Sequence, residues 1–222
     1  MNLKKFSTLS CVMILMLLIP PLFGQEDPGE LGRKILELYS FYKPKSMLRT
    51  HQTVIDRPKF PVVDAHCHWT VDTDPQALIH AMDELGIAYA VNLSGGWGKQ
   101  LDRMLDRFKR TAPERFEILE NIDFSEIDRP DFSQKWTRFL EQSKAKGAAG
   151  LKIFKDLGLT VRDRSGRLVP IDDPRLDPIW AKCGELRIPV LIHAADPLAF
   201  FKPIDRFNER IMQLGRHPDW SF

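Results

Sequence analysis

An alternation constrains this chain more than any other feature. Five short apolar runs of β type, at 61–66, 88–93, 116–122, 149–154 and 188–193, are separated by stretches whose apolar residues recur at helical spacing. Asp74 and Pro75 supply an N-cap and a first-turn proline; Leu78, Met82 and Leu85 follow on one face, and Gly86 closes the helix. Leu101, Met104, Leu105 and Phe108 mark a second helix, and Trp136, Phe139 and Leu140 a third that Gly147 ends. Asp173-Pro174 is expected to open a fourth, with Leu176, Ile179, Trp180, Cys183 and Leu186 on one face. Phe207, Ile211, Met212 and Leu214 suggest a fifth. Such alternation implies right-handed βαβ units around a parallel sheet buried on both faces. Strand starts lie roughly 26 to 40 residues apart, comparable with the ~30 residues per unit of a (β/α)8 barrel. A doubly wound open sheet gives the same alternation, but no Gly-rich phosphate loop follows the first strand.

The residues ahead of this pattern read differently. Lys4 and Lys5, an apolar stretch over 11–19, Pro20, Pro21 and Gly24 have the layout of a signal peptide over 1–24, with an uncleaved anchor as the alternative. The apolar stretch is too short to span a bilayer. Export to a periplasmic or extracellular location is expected, with no membrane association after cleavage. Residues 25–60 read as an N-terminal arm and linker packed on the main domain, with Ile35, Leu36 and Tyr39 at helical spacing. Residues 61–222 form the main domain. With 32 basic residues against 30 acidic ones, there is no electrostatic case for nucleic acid or an anionic membrane as partner. Beyond the leader only Cys67 and Cys183 remain, so stability must come from a core and not from a disulfide framework. A homo-oligomer is left open.

In parallel α/β proteins the carboxyl ends of the strands carry the site. The first run ends in Asp64-Ala65-His66-Cys67-His68, the fourth in Gly150-Leu151-Lys152-Ile153-Phe154 and the fifth in Ile192-His193-Ala194-Ala195-Asp196. His66 and His68, two positions apart, share one side of a strand. Such a pair can be a packed, hydrogen-bonded core pair or a pair of metal ligands. Asp64 is placed to orient an imidazole by accepting its second N–H. Cys67 alternates away, toward a helix. His193 and Lys152 each have a bland reading, a satisfied strand-end histidine and a snorkelling lysine. Together on successive strand ends they are costly to bury unless a metal or substrate compensates. Imidazole with carboxylate suits Zn²⁺, and also Mn²⁺ or Fe²⁺. A catalytic metal keeps a position for water and lowers its pKa to about 7.

DAHCH, GLKIFKDLGL and PVLIHAADP, with DDPRLDPIWAKCGEL between them, resemble the amidohydrolase superfamily, in particular its amidohydrolase-related branch, which also holds metal-dependent decarboxylases. The resemblance runs from about Arg49 to the end of the chain. It implies an α/β fold, a (β/α)8 TIM-type barrel of which about the first five βα units are present. It implies His66, His68 and His193 as metal ligands. Lys152 matches a position where some members carry a carboxylated lysine bridging two metals; with a single metal, Lys152 contacts substrate instead. The family's sixth-strand histidine and eighth-strand aspartate have no counterpart here, and His217, in Arg216-His217-Pro218, is a poor substitute. The expectation is therefore a truncated barrel.

The function expected is hydrolysis of a C–N or ester-type bond in a small molecule by metal-activated water. The alternatives are non-oxidative decarboxylation of an aromatic or unsaturated acid, and an inactive remnant. Residues 155–173 read as a hairpin around Ser165-Gly166, either a lid or a shield for the rim. Asp172 and Asp173 read better as helix caps than as ligands. Trp97, in SGGWGK, and Asp196, before Pro197, are candidate pocket residues whose plain alternatives are turns.

Overall fold

Each of the five apolar runs forms a strand in the computed structural model, which describes residues 30, 32–34, 36, 37, 50, 51, 53–55, 57–194 and 196–222. The strands are β1 (Val62–Cys67), β2 (Ile87–Asn92), β3 (Phe116–Asn121), β4 (Gly150–Ile153) and β5 (Val190–Ile192). They lie side by side in chain order, every neighbouring pair parallel. A doubly wound sheet reverses its strand order at a switch point; this one does not. Five parallel strands with helices between them make a half-barrel. The leader expected over 1–24 lies outside the described residues. No helix among the described residues is long and apolar enough to cross a membrane.

Local chemistry sets the helix bounds. Helix α1 (Pro75–Leu85) starts where the Asp74 carboxylate accepts the Gln76 N–H at 3.1 Å, and stops at Gly86, whose φ of 72° suits glycine. Helix α2 (Lys99–Met104) runs on into a wider turn at Leu105–Lys109. Helix α3 (Phe132–Lys146) ends at Gly147. Helix α4 (Asp177–Glu185) begins later than expected from Asp173-Pro174. The Asp173 carboxylate accepts from the Arg175 backbone at 3.0 Å and from its guanidinium at 2.8 Å, so residues 173–176 form tight turns ahead of the helix. The expected fifth helix is a single turn, Ile211–Leu214.

Two apolar clusters fasten helices to the sheet. Phe116 and Ile118 of β3 join Leu101, Met104, Leu105, Phe108 and Met82. Leu151 and Ile153 of β4 join Trp136, Leu140, Ile179 and Cys183. Burying each such side chain contributes about 1.5–3 kcal/mol. Because strand side chains alternate, committing Leu151 and Ile153 to the helix layer turns Lys152 to the opposite, inner face. Cys67 packs with the first cluster, and desolvation pushes its thiol up to about 12.

Chain contacts divide the protein into Arg49–Ala195, which holds the sheet, and a second unit of Met1–Leu48 with Asp196–Phe222. In the second unit Asn208 is buried, its amide donating to the carbonyls of Ala199 at 2.8 Å and Pro203 at 3.0 Å. There the Gly32 and Gly215 backbones approach so closely that a Cβ on Gly32 would lie 2.2 Å from Gly215 Cα.

Candidate functional site

The site residues occupy the carboxyl ends of β1, β2, β3 and β4. At the end of β1 the rings of His66 and His68 lie with centroids 5.2 Å apart, edge to face. The strand is irregular here: its register against β2 shifts between Asp64 and Cys67. Within this stretch Asp64 makes a local contact. Its carboxylate accepts the backbone N–H of His66 at 3.1 Å, where the sequence suggested an imidazole proton. The Cys67 thiol and the His66 N–H together hold the Asp64 carboxyl below its usual range.

His68 is tied to β2 and β4. Its Nδ1 lies 2.7 Å from Ser94 Oγ, and its ring is 6.0 Å from that of Phe154. With the Nδ1 proton donated to the hydroxyl, Nε2 keeps its lone pair. Desolvation, then the positive neighbours His66 and Lys152, pull His68 below the ordinary imidazole range, which favours the neutral ring.

Lys152 is only 1% exposed. Its Nζ has no hydrogen-bond partner among the described residues and stands 5.6 Å over the Phe154 ring. Burial lowers its pKa. A buried amine without a partner is costly, and a substrate oxygen or a charged ligand would relieve it.

His193 follows β5, its backbone N–H donating to Ile153 O at 3.0 Å, and is half-buried. Among the described residues no three His, Cys, Asp or Glu side chains stand close enough to hold a metal ion. The structure thus brings His66 and His68 together, with Lys152 acting on His68, but does not close His193 onto them. β1 and β5 are the two ends of the sheet, separated by four strand spacings of about 4.8 Å each before curvature shortens the path. Asp196 is half-buried and belongs to the other unit.

Next to His68 a cleft of ≈ 570 Å³ opens, bounded by Ser94, Trp97, Asp123, Phe154, Asp156 and Arg162 among others. Ser94 and Phe154 are shared between the cleft and the surroundings of His68. Asn121, buried at the end of β3, binds its walls together. Its side-chain oxygen accepts Gly96 N–H at 2.7 Å, its backbone N–H donates to Gly96 O at 2.9 Å, and its amide donates to Leu93 O at 3.0 Å. Val161 and Arg162 also line the cleft; they begin a hairpin over 161–169 with an antiparallel bridge between Arg162 and Leu168 and a turn at Gly166, φ 81°.

No protein-family model and no curated protein matches the sequence. Among solved structures, the chain is similar to the crystal structure of a probable 2-pyrone-4,6-dicarboxylic acid hydrolase from Acinetobacter baumannii with citric acid bound. Identity is 16% and the TM-score 0.40, over 66% of this chain and 54% of that one. The chain thus spans about half the length of that protein.

Sequence reasoning did not single out Ser94, Asn121, Asp123, Phe154, Asp156 or Arg162. A signal existed for Asn121: with Glu120 it places two polar residues in succession just where the third strand stops. Arg162 and Asp156 gave none, because only the fold of the loop after β4 brings them to the cleft.

Proposed function

We propose that this chain carries part of a metal-dependent hydrolytic site acting on a C–N or ester-type bond of a small molecule. The observation that carries the reading is the pair of adjacent imidazoles at the carboxyl end of β1, beside a buried, unpartnered Lys152 and a cleft made by the next three strand ends. Two neighbouring imidazoles suit a divalent cation of the zinc type by their chemistry: His66 and His68 would hold it, with Mn²⁺ or Fe²⁺ as substitutes, while His193, the third ligand suggested by the sequence, is not brought onto them among the described residues. Once bound, such an ion polarises a carbonyl and lowers the pKa of water. The chain's own residues do the remainder. With Nε2 as the coordinating nitrogen, Nδ1 would carry the proton, and Ser94 Oγ, 2.7 Å away, is placed to accept it and hold the ring. The Lys152 ammonium, with three donors and no protein acceptor among the described residues, is positioned to bind a substrate oxygen.

Zinc content after equilibrium dialysis, measured beside turnover on a panel of N-acyl and ester substrates, tests the reading. Stoichiometric zinc is expected in the wild type, with loss of at least tenfold in affinity in His66→Ala and His68→Ala. Equal zinc retention in the double variant would sink the assignment. Release of CO₂ from an aromatic acid without hydrolysis of any panel member would move the function to decarboxylation.

A further inference from the structure

The cleft beside His68 contains a feature that metal chemistry does not use. Trp97 is 41% exposed, yet its position is rigidly set. Its ring stands edge to face against Trp136, centroids 6.4 Å apart at 75°. The backbone before it is held by the paired hydrogen bonds between Gly96 and Asn121. Gly95 admits no side chain, because a Cβ there would fall 2.2 Å from Leu119 O. Gly96, with φ of 74°, takes a conformation that L residues rarely adopt. So much constraint on a loop that leaves a large aromatic surface facing a cleft is what a stacking platform requires.

The cleft's charges narrow what can stack there. Asp123 and Asp156 line it, and Arg162 is the one cation among its lining residues. Arg162 donates Nη1 to Gly166 O at 2.9 Å but keeps its charge, so the lining carries two carboxylates against one guanidinium and is net negative. Asp123 accepts the Ser125 N–H through Oδ1 at 2.9 Å, which leaves Oδ2 as an acceptor facing no other described donor. Asp156 is exposed, with its carboxylate making no hydrogen bond among the described residues. A ring bearing a carboxylate would meet like charge here, whereas a ring bearing amino or hydroxyl groups would meet two acceptors.

We propose that the cleft lined by Trp97, Asp123 and Asp156 binds the non-reacting part of the substrate, and that this part is a flat ring carrying amino or hydroxyl donors and no acidic group. The orientation, with the reacting bond toward His68, rests on the hydrolase reading; the ring preference rests on the cleft alone.

The test uses three para-substituted acetanilides that differ only at the far end: the 4-aminomethyl, 4-hydroxy and 4-carboxy compounds. Binding to the full chain without added metal is followed by calorimetry. The aminomethyl and hydroxy compounds are expected to bind at least tenfold more tightly than the carboxy compound. Asp156→Asn combined with Asp123→Asn should shrink that gap to less than threefold, because asparagine can still cap Ser125 while the charge is gone. Trp97→Ala should weaken all three. Since that variant removes the contact with Trp136, the exposed single variant Asp156→Asn carries the decision: it should narrow the gap by itself, an unchanged gap would overturn the proposal, and circular dichroism checks the fold of both. Equal or tighter binding of the carboxy compound, or no saturable binding by any of the three, would overturn the proposal. Preferential binding without cleavage of any probe would support it while counting against hydrolysis.

Discussion

Glu120 shows how a single side chain sets a pH dependence. Strand β3 turns it toward the helix layer, near Ser143 and Lys146 of α3 and Cys183 of α4, where it is 1% exposed. Burial pushes its carboxyl up to about 7 from 4.5, and the opposing pull of Ser143 and Lys146 does not cancel this. Neither carboxylate oxygen has a hydrogen-bond partner of normal geometry among the described residues. The folded state therefore keeps this proton over a range where the unfolded chain has released it. Its contribution is complete below pH 4.5 and is lost as pH rises through about 7, a change of about 3 kcal/mol. Urea unfolding at pH 5 and pH 8 should show that fall in the wild type, and a much smaller one in Glu120→Gln. A second residue-scale expectation concerns Gly95→Ala. Its Cβ would meet Leu119 O at 2.2 Å, so the loop or β3 must move, at a cost of about 2 kcal/mol or more. An unchanged melting temperature would show that the loop yields freely and that Trp97 is not held as described.

At the scale of elements, the hairpin after β4 is fastened to the connection between β3 and α3. Asp128 accepts the Arg164 backbone N–H at 2.6 Å and pairs with the Arg175 guanidinium at 3.0 Å; the Arg164 guanidinium donates to the Asp128 carbonyl at 2.8 Å. Asp163 accepts from the Ser165 hydroxyl and from the backbone N–H groups of Arg167 and Ser165, and these hold its carboxyl down at about 2. Asp128→Ala should release the hairpin, raising the rate of tryptic cleavage after Arg164 or Arg167 severalfold while leaving the sheet intact. Mass spectrometry of early digestion products reads this directly, and added salt should narrow the difference as the ion pairs are screened. Because Val161 and Arg162 line the cleft, the same variant should also weaken binding of the acetanilide probes.

For the molecule as a whole, the two end strands of the sheet are the expected association surfaces. Among the described residues, β1 and β5 each pair on one side only, and Val63 on β1 is 59% exposed, with Ile192 on β5 exposed as well. Unpaired edges with apolar side chains invite pairing with another chain. Sedimentation velocity of the chain is expected to show concentration-dependent association that Val63→Lys reduces. A monomer at all concentrations in the wild type would count against the edge as the driving surface.

Much of this fold is legible in the sequence. Short apolar runs separated by helical patterns determined the five strands, because a parallel sheet covered by helices favours such runs; burial on both faces holds for β4 but not for the end strands, where Val63 and Ile192 are exposed. Asp74-Pro75 and Gly86 marked both ends of α1, because their backbone preferences act within a few residues. The strand-end placement of His66, His68, Lys152 and His193 follows from the same periodicity. What the sequence left open was decided by contacts between distant segments. The Asp64 carboxylate turns to the His66 backbone N–H beside a register shift in β1, and a pleat alone reveals neither. The grip of Arg175 on Asp173 and Asp128 delays α4, against the local signal of Asp-Pro. Trp97 becomes a fixed platform only because Asn121 of another strand bonds Gly96, and His68 is held by Ser94, just past the end of the neighbouring strand. Propensity and periodicity are local, whereas a site is a meeting of side chains from separate elements, so its geometry exists only once the sheet has formed.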